Sequence, residues 1–232
     1  MNAKITFIII TLFPEMVQDA LSYGVIGKAI DKGLIELKTV NPRDYSQDKH
    51  NRVDDRPYGG GAGMVMMYDP LAKTVESLKQ QYNNFKLSFL SPHGKKLDQD
   101  IINKMALDAH IVLLCGRYEG IDQRFIDEYV DNEISLGDFV ISGGELAAAI
   151  IVDAVARQVA GVLGDEDSAK TDSFMQSMLT APQYTRSDVL KQQGIPEVLL
   201  SGNHANIAKW RDQQALKTTQ LKRPDLLGKQ DM

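Results

Sequence analysis

The 232-residue sequence has a single cysteine, Cys115. No intramolecular disulfide can form and no cysteine cluster can hold zinc, so a reducing, cytoplasmic setting is expected. The four histidines, His50, His93, His110 and His204, lack metal-ligand spacing, and no metal site is expected. Long apolar runs are missing as well. The apolar opening, residues 5–13, is too short to span a bilayer. Pro14, Glu15 and Asp19 follow it, not the small residues of a signal-peptide cleavage site. It reads as a buried strand, and no membrane partner is expected. A positive balance is absent too: the net charge is −5, which argues against nucleic acid as a partner. The distribution softens that argument. From Ser201 onward six lysines and arginines face three aspartates, leaving −8 on residues 1–200. A basic tail on an acidic body is either a phosphate-contacting module or a solvated helix face.

What is present is ordinary globular composition, 43% hydrophobic and 25% charged, in a chain long enough for one large domain plus an appendage. Residues 5–13, 34–40, 87–90, 111–115 and 133–141 read as strands. Residues 14–32, 69–81, 98–108, 122–129 and 145–160 read as helices, the last apolar nearly all round. Such alternation predicts an α/β domain with a largely parallel sheet, whose ligands sit at the carboxyl ends of strands. Three glycine-bearing segments, 91–94, 116–120 and 142–144, each follow a predicted strand and are expected to converge on one pocket. Residues 42–67 form a long polar loop. Beyond residue 161 the composition turns acidic and poor in large apolar side chains, the pattern of a mobile linker over 162–175. Helical segments are expected over 187–193 and 203–216, within a small helical unit spanning 176–232. No internal repeat or low-complexity tract is present.

Each candidate motif admits a plain structural reading beside the functional one. The cluster Gly59, Gly60, Gly61 and Gly63 permits positive φ and close ligand approach, or is simply a flexible loop. It is neither a dinucleotide fingerprint nor a phosphate-binding P-loop, because the spacing and the closing lysine are wrong. The turn after residues 112–115 exposes amides to a carboxylate or an adenine edge. Alternatively, its Arg117 and Glu119 form a surface ion pair worth under about 1 kcal/mol. Gly143 and Gly144 lead into a helix N-terminus that favours negative charge, or they serve tight strand–helix packing. Arg157, on the apolar helix, needs a partner or a ligand. Asp172, in the expected linker, reads by itself as a solvated acid. Trp210 reads as a small core anchor, with base stacking the lesser alternative. No Ser-His-Asp arrangement can be read from the spacing.

The residues themselves carry more than their spacing. The stretches 12–16 (LFPEM), 54–61 (DDRPYGGG), 90–92 (LSP), 115–122 (CGRYEGID), 137–138 (GD), 142–146 (SGGEL), 172–174 (DSF) and 200–204 (LSGNH) resemble the TrmD family of bacterial tRNA (guanine-N1)-methyltransferases, in order and over essentially the whole chain. The resemblance implies a SPOUT methyltransferase fold with a trefoil knot over residues 1–161, a linker over 162–175 and a helical tRNA-binding domain over 176–232. It implies S-adenosylmethionine as cofactor, held by Leu90, Ser91, Pro92, Gly116, Arg117, Tyr118, Glu119, Gly120, Leu136, Gly137, Asp138, Phe139, Val140, Ile141, Gly143 and Gly144. A magnesium requirement is left open. Asp172 is implied as the base for the guanine N1 proton, and Arg157 as the cation beside O6. Asp54, Arg56, Tyr58, Gly59, Gly60, Gly61, Ser173, Asn203 and His204 would meet the tRNA anticodon stem-loop, in a homodimer whose sites lie at the subunit interface. Two positions depart from the family pattern: His93 stands where many members carry glutamine, and Ala147 where many carry proline. The tail is also shorter than in longer members. The rival reading is a non-catalytic RNA-binding protein of the same fold.

Overall fold

The structure, a computed structural model, describes residues 5–164 and 171–231. The chain divides into two compact units, Met1–Gly164 and Asp165–Met232.

The first unit is built on a five-stranded sheet. Its strands are β1 (Ile5–Ile10), β2 (Ile35–Val40), β5 (Lys86–Lys96), β6 (His110–Cys115) and β7 (Asn132–Ser135), in the order β2-β1-β6-β5-β7. Every pairing is parallel. The unbroken apolar run of β1 is explained by burial on both faces, since successive side chains of a strand alternate sides. Phe7 and Ile9 join one core cluster and Ile8 and Ile10 the other. Strand β6 repeats the division, with Leu113 and Cys115 against Val112 and Leu114. The first layer is closed by α1 (Pro14–Leu21), α2 (Gly24–Asp31), α4 (Gln99–Met105) and α6 (Glu145–Ala156). The second is closed by α3 (Tyr68–Gln81) and α5 (Gln123–Tyr129). No helix among the described residues is long and apolar enough to cross a membrane.

Several local expectations change. The single helix expected over 14–32 is two, α1 and α2. Ser22 donates its hydroxyl back to the Asp19 carbonyl. A Cβ on Gly27 would lie 2.2 Å from the Ser22 carbonyl oxygen, so the break and the glycine go together. The polar loop 42–67 holds a short 3-10 turn, Pro42–Tyr45, and a two-stranded antiparallel ladder of β3 (Asp54–Asp55) and β4 (Val65–Met66). The strand expected over 133–141 ends at Ser135. The Ser135 hydroxyl then accepts from the Gly137 amide, and the chain peels away as a loop to α6. Strand β5 is longer than expected. It pairs with β7 at Leu90↔Ile134, bulges outward, and pairs again at Lys95↔Ile134. At the return, Gly94 lies against the β7 backbone, where a Cβ would come 2.3 Å from the Ile134 nitrogen.

In the second unit, residues 165–170 of the expected linker lie outside the described residues. The segment after them is a chain of turns: Phe174 N donates to Met178 O at 2.7 Å, and Leu179 N to the Thr219 hydroxyl at 2.9 Å. Residues 187–193 are turns, not the expected helix. A short α7 (Glu197–Leu200) leads to α8 (His204–Lys222). Helix α8 is capped by the Asn203 side chain, which accepts from Asn206 N at 3.2 Å.

Candidate active site

A cavity of about 300 Å³ opens at the carboxyl ends of β6 and β7, beside the bulge of β5 and the N-terminus of α6. The three glycine-bearing segments do converge there. Of the first segment Ser91 and Pro92 line the cavity and His93 and Gly94 do not. Of the cofactor residues that the resemblance implies, all line it except Asp138, and Phe89, Ile134, Ser135, Ser142 and Ala147 complete the wall. The Asp138 carboxylate is 95% exposed and lies 3.5 Å from Lys96 Nζ. Ala147, one of the two departures from the family pattern, is therefore a wall residue.

The glycines resolve into two kinds. A Cβ on Gly116 would meet the Phe89 ring at 2.8 Å, one on Gly144 the Cys115 Cα at 2.6 Å, and one on Gly143 the Arg117 guanidinium at 2.3 Å. These positions are glycine because protein packs on them. Gly120, at φ +142°, has nothing within 4 Å of where a Cβ would be, so its backbone faces open cavity. The distal cluster divides the same way. Gly59, Gly60 and Gly61 have positive φ and open surroundings, whereas Gly63 lies against Glu119, 2.4 Å from its Cγ to an added Cβ. Hydrogen bonds from Glu119 N to Met64 O and from Met66 N to Gly120 O seat the β3–β4 ribbon on the cavity loop. Tyr118, at φ 61°, accepts from Arg43 at 3.4 Å. Burial, then the charge and hydrogen bond of Asp54, push its phenol above its ordinary value. Asp54 thus reaches the cavity rim through Tyr118. Arg56 and Tyr58 line a separate open groove with Asp122 and Arg124, and Tyr58 is fully exposed.

Arg117 does not pair with Glu119. Its guanidinium lies on Glu145, the first residue of α6, with Nε and Nη2 each 2.9 Å from Oε2. The other carboxylate oxygen accepts from the Thr11 hydroxyl at 2.7 Å. Phe13 covers the guanidinium, 4.4 Å from its ring centroid. Sequence reasoning missed Thr11, Phe13 and Glu145 as parts of the site. The available signal was slight: a lone hydroxyl near the end of an apolar strand and a lone acid heading an apolar helix. Cys115, at the base of this network, is fully buried, and burial followed by the Glu145 charge pushes its thiol well up.

The remaining candidates lie apart from these loops along the chain. Arg157 is the partly buried C-cap of α6, where a cation complements the helix dipole. In the second unit, Asp172 lines a cavity of about 360 Å³ with Thr180, Ala208 and Arg211. The Ser173 hydroxyl accepts from Thr180 N at 3.0 Å. His204 is exposed at the start of α8, behind its cap Asn203. Trp210 is partly buried, 6.4 Å from the Tyr184 ring, in a groove of about 560 Å³.

A glycine-walled cavity at the carboxyl ends of a parallel sheet, beside a helix N-terminus, defines an α/β protein with a small-molecule site. The chain matches, over residues 5–229, the family model described as tRNA (Guanine-1)-methyltransferase TrmD, and it belongs to that family. It is 51% identical to the tRNA (guanine-N(1)-)-methyltransferase of Photobacterium profundum, over 95% of this chain and 89% of that one. To the enzymes of the same name from Pseudoalteromonas translucida and Halorhodospira halophila it is 52% and 49% identical. Those matches cover 94% and 97% of this chain, and 86% and 85% of theirs.

Proposed function

We propose that the protein transfers a methyl group from S-adenosylmethionine to N1 of the guanine immediately 3′ of the anticodon in tRNA. The observation that carries the reading is the convergence of loops 90–92, 116–120 and 136–144 on one cavity, since these are the segments that match the family's cofactor loops. The cavity fits such a guest. Its walls are apolar at Leu90, Leu136, Val140 and Ile141, suited to a purine. Gly120 leaves an open backbone edge, and the Glu119 carboxylate can meet an ammonium group. The cofactor supplies a methyl group on a sulfonium, already a good leaving group.

The work left to the protein is alignment and proton removal. Alignment contributes several kcal/mol. Neutral guanine holds a proton on N1, and Asp172 takes it, a general-base contribution of roughly 100- to 10,000-fold. The negative charge that grows on O6 is stabilised by Arg157. Asp54, Arg56, Tyr58, Gly59, Gly60, Gly61, Ser173, Asn203 and His204 meet the anticodon stem-loop, whose loop bases can be splayed out and read on their edges. The units act as a cofactor domain over 1–161 and a tRNA-binding domain over 176–232, joined by 162–175. A trefoil knot in the first unit belongs to this reading on the family resemblance alone. Two copies form the working enzyme, each site assembled across their interface. Leu146 and Ile150, about half exposed on an otherwise apolar α6, support that arrangement. Among the described residues no cluster of three or more His, Cys, Asp or Glu side chains could hold a metal ion. The setting is the cytoplasm.

The test is methyl transfer from labelled S-adenosylmethionine to a tRNA transcript with guanine 3′ of the anticodon, beside a control with adenine there. Label recovered as 1-methylguanosine from the first alone is the expected result. No label from folded, cofactor-binding protein would leave an RNA-binding protein of the same fold.

A further inference from the structure

Glu145 is the one charged side chain among the described residues that lies in the core, 1% exposed. Taking a carboxylate out of water is costly, and a buried ion pair seldom repays the cost in stability. Its place at the head of α6 therefore calls for a geometric reason, and the contacts supply one. Glu145 accepts from Thr11 through one oxygen and from Nε of Arg117 through the other, which also lies 2.9 Å from Nη2 as an ion pair. With Nη1, Arg117 donates to the Ser142 carbonyl at 3.2 Å. The Thr11 hydroxyl also accepts from Phe13 N at 3.0 Å, and the Phe13 ring lies on the guanidinium. One planar cation thus joins the turn after β6, the loop before α6, the first turn of α6 and the entry to α1. The first two of these are walls of the cavity. Gly143 is the relief that admits the guanidinium, since any Cβ there would overlap it.

We infer that Glu145 is a positioning residue for cofactor binding: it locks Arg117 as a strut that holds loops 116–120 and 136–144 at the separation the cofactor requires. The inference rests on the cofactor reading above. It also reassigns Arg117. With its charge matched by a buried carboxylate, Arg117 serves the ligand through loop geometry, not as a counter-charge to a ligand anion. A lysine cannot replace it, because an ammonium group lacks the fixed fork that reaches Glu145 and Ser142 together.

The experiment is calorimetric titration of full-length protein with S-adenosylmethionine, for the wild type, Glu145→Gln, Arg117→Lys and the double variant, with a thermal melt of each. Each single change is expected to weaken binding about tenfold, and the double change little more than either, because residues acting as one unit are non-additive. The loss should fall on the KM for the donor, with turnover at saturating donor changed less than about threefold. Thr11→Val, which removes one donor to Glu145, should give a smaller loss in the same direction, and Thr11→Ser, which keeps the hydroxyl, should restore wild-type affinity. These two serve even if Glu145→Gln folds poorly. Wild-type affinity in folded Glu145→Gln, additive losses, or equal behaviour of the two Thr11 variants would overturn the strut. Absence of binding in the wild type itself would overturn the cofactor reading, and the strut with it.

Discussion

The two units of the chain differ in where their apolar surface goes. In Met1–Gly164 both faces of the sheet are dry, and side chains such as Phe7, Ile9, Phe125 and Ile151 have no exposure at all. In Asp165–Met232 only Ala181, Thr219 and Leu226 are buried among the described residues, while Val189 and Leu221 are 89% and 80% exposed. Helix α8 shows no apolar stripe, and a buried tie of the unit is polar: the Thr219 hydroxyl donates to Ala215 O and accepts from Leu179 N. The first unit holds itself together, as a pocket of fixed shape must. The second leaves apolar side chains such as Val189 and Leu221 in solvent, which suits a surface that meets a partner.

The largest expected effect tests that contrast in stability. Phe125, fully buried and stacked on Tyr129 at 5.1 Å, should cost about 3–5 kcal/mol when cut to alanine. Leu221→Ala should cost less than about 0.5 kcal/mol. Denaturant titration of both variants checks this, and comparable losses would break the contrast. Next in size is a division of labour. Asp172→Asn should lower turnover at least about 100-fold and leave cofactor affinity nearly intact. Retention of more than a tenth of the activity would place the base elsewhere. The smallest effect concerns helix caps. Asp122 caps α5 and forks with Arg124 at 2.9 and 2.6 Å. Arg124 holds its carboxyl below the ordinary value. A depressed carboxyl gives stability that is fully present above the ordinary carboxylate range and lost as pH falls through the lowered value. Asp122→Ala should therefore cost about 1 kcal/mol at neutral pH, and the gap should narrow in acid. Asn203→Ala, at the uncharged cap of α8, should cost about as much with no such narrowing. Denaturation followed from neutral to acidic pH separates the two.

Most of the sheet was legible because parallel strands buried on both faces write themselves as apolar runs: residues 5–10 and 110–115 could hardly be anything else. Helix ends were legible where a side chain caps them, at Asp98, Asp122 and Asn203. The misreadings share a cause. The end of β7 at Ser135 and the break at Ser22 are set by local side-chain hydrogen bonds, and the return of β5 at Gly94 by its contact with β7, none of which apolar periodicity encodes. The cavity loops were located by their glycines, yet spacing could not tell a glycine open to ligand, Gly120, from one pressed by protein, Gly116. The catalytic roles of Asp172 and Arg157 came from resemblance alone, although the apolar helix had already singled out Arg157 as a charge in need of a partner or a ligand. An exposed aspartate in a turn and a helix-capping arginine carry no local mark of chemistry.

The single cysteine is also a clock. Cys115 sits at zero exposure beneath Gly144, next to the Arg117–Glu145 pair, and nothing else in the chain competes for a thiol reagent. Its modification rate in native buffer should count openings of the core behind the cavity wall. Bound cofactor should slow that rate in proportion to its occupancy, giving a readout of the pocket that requires neither tRNA nor turnover.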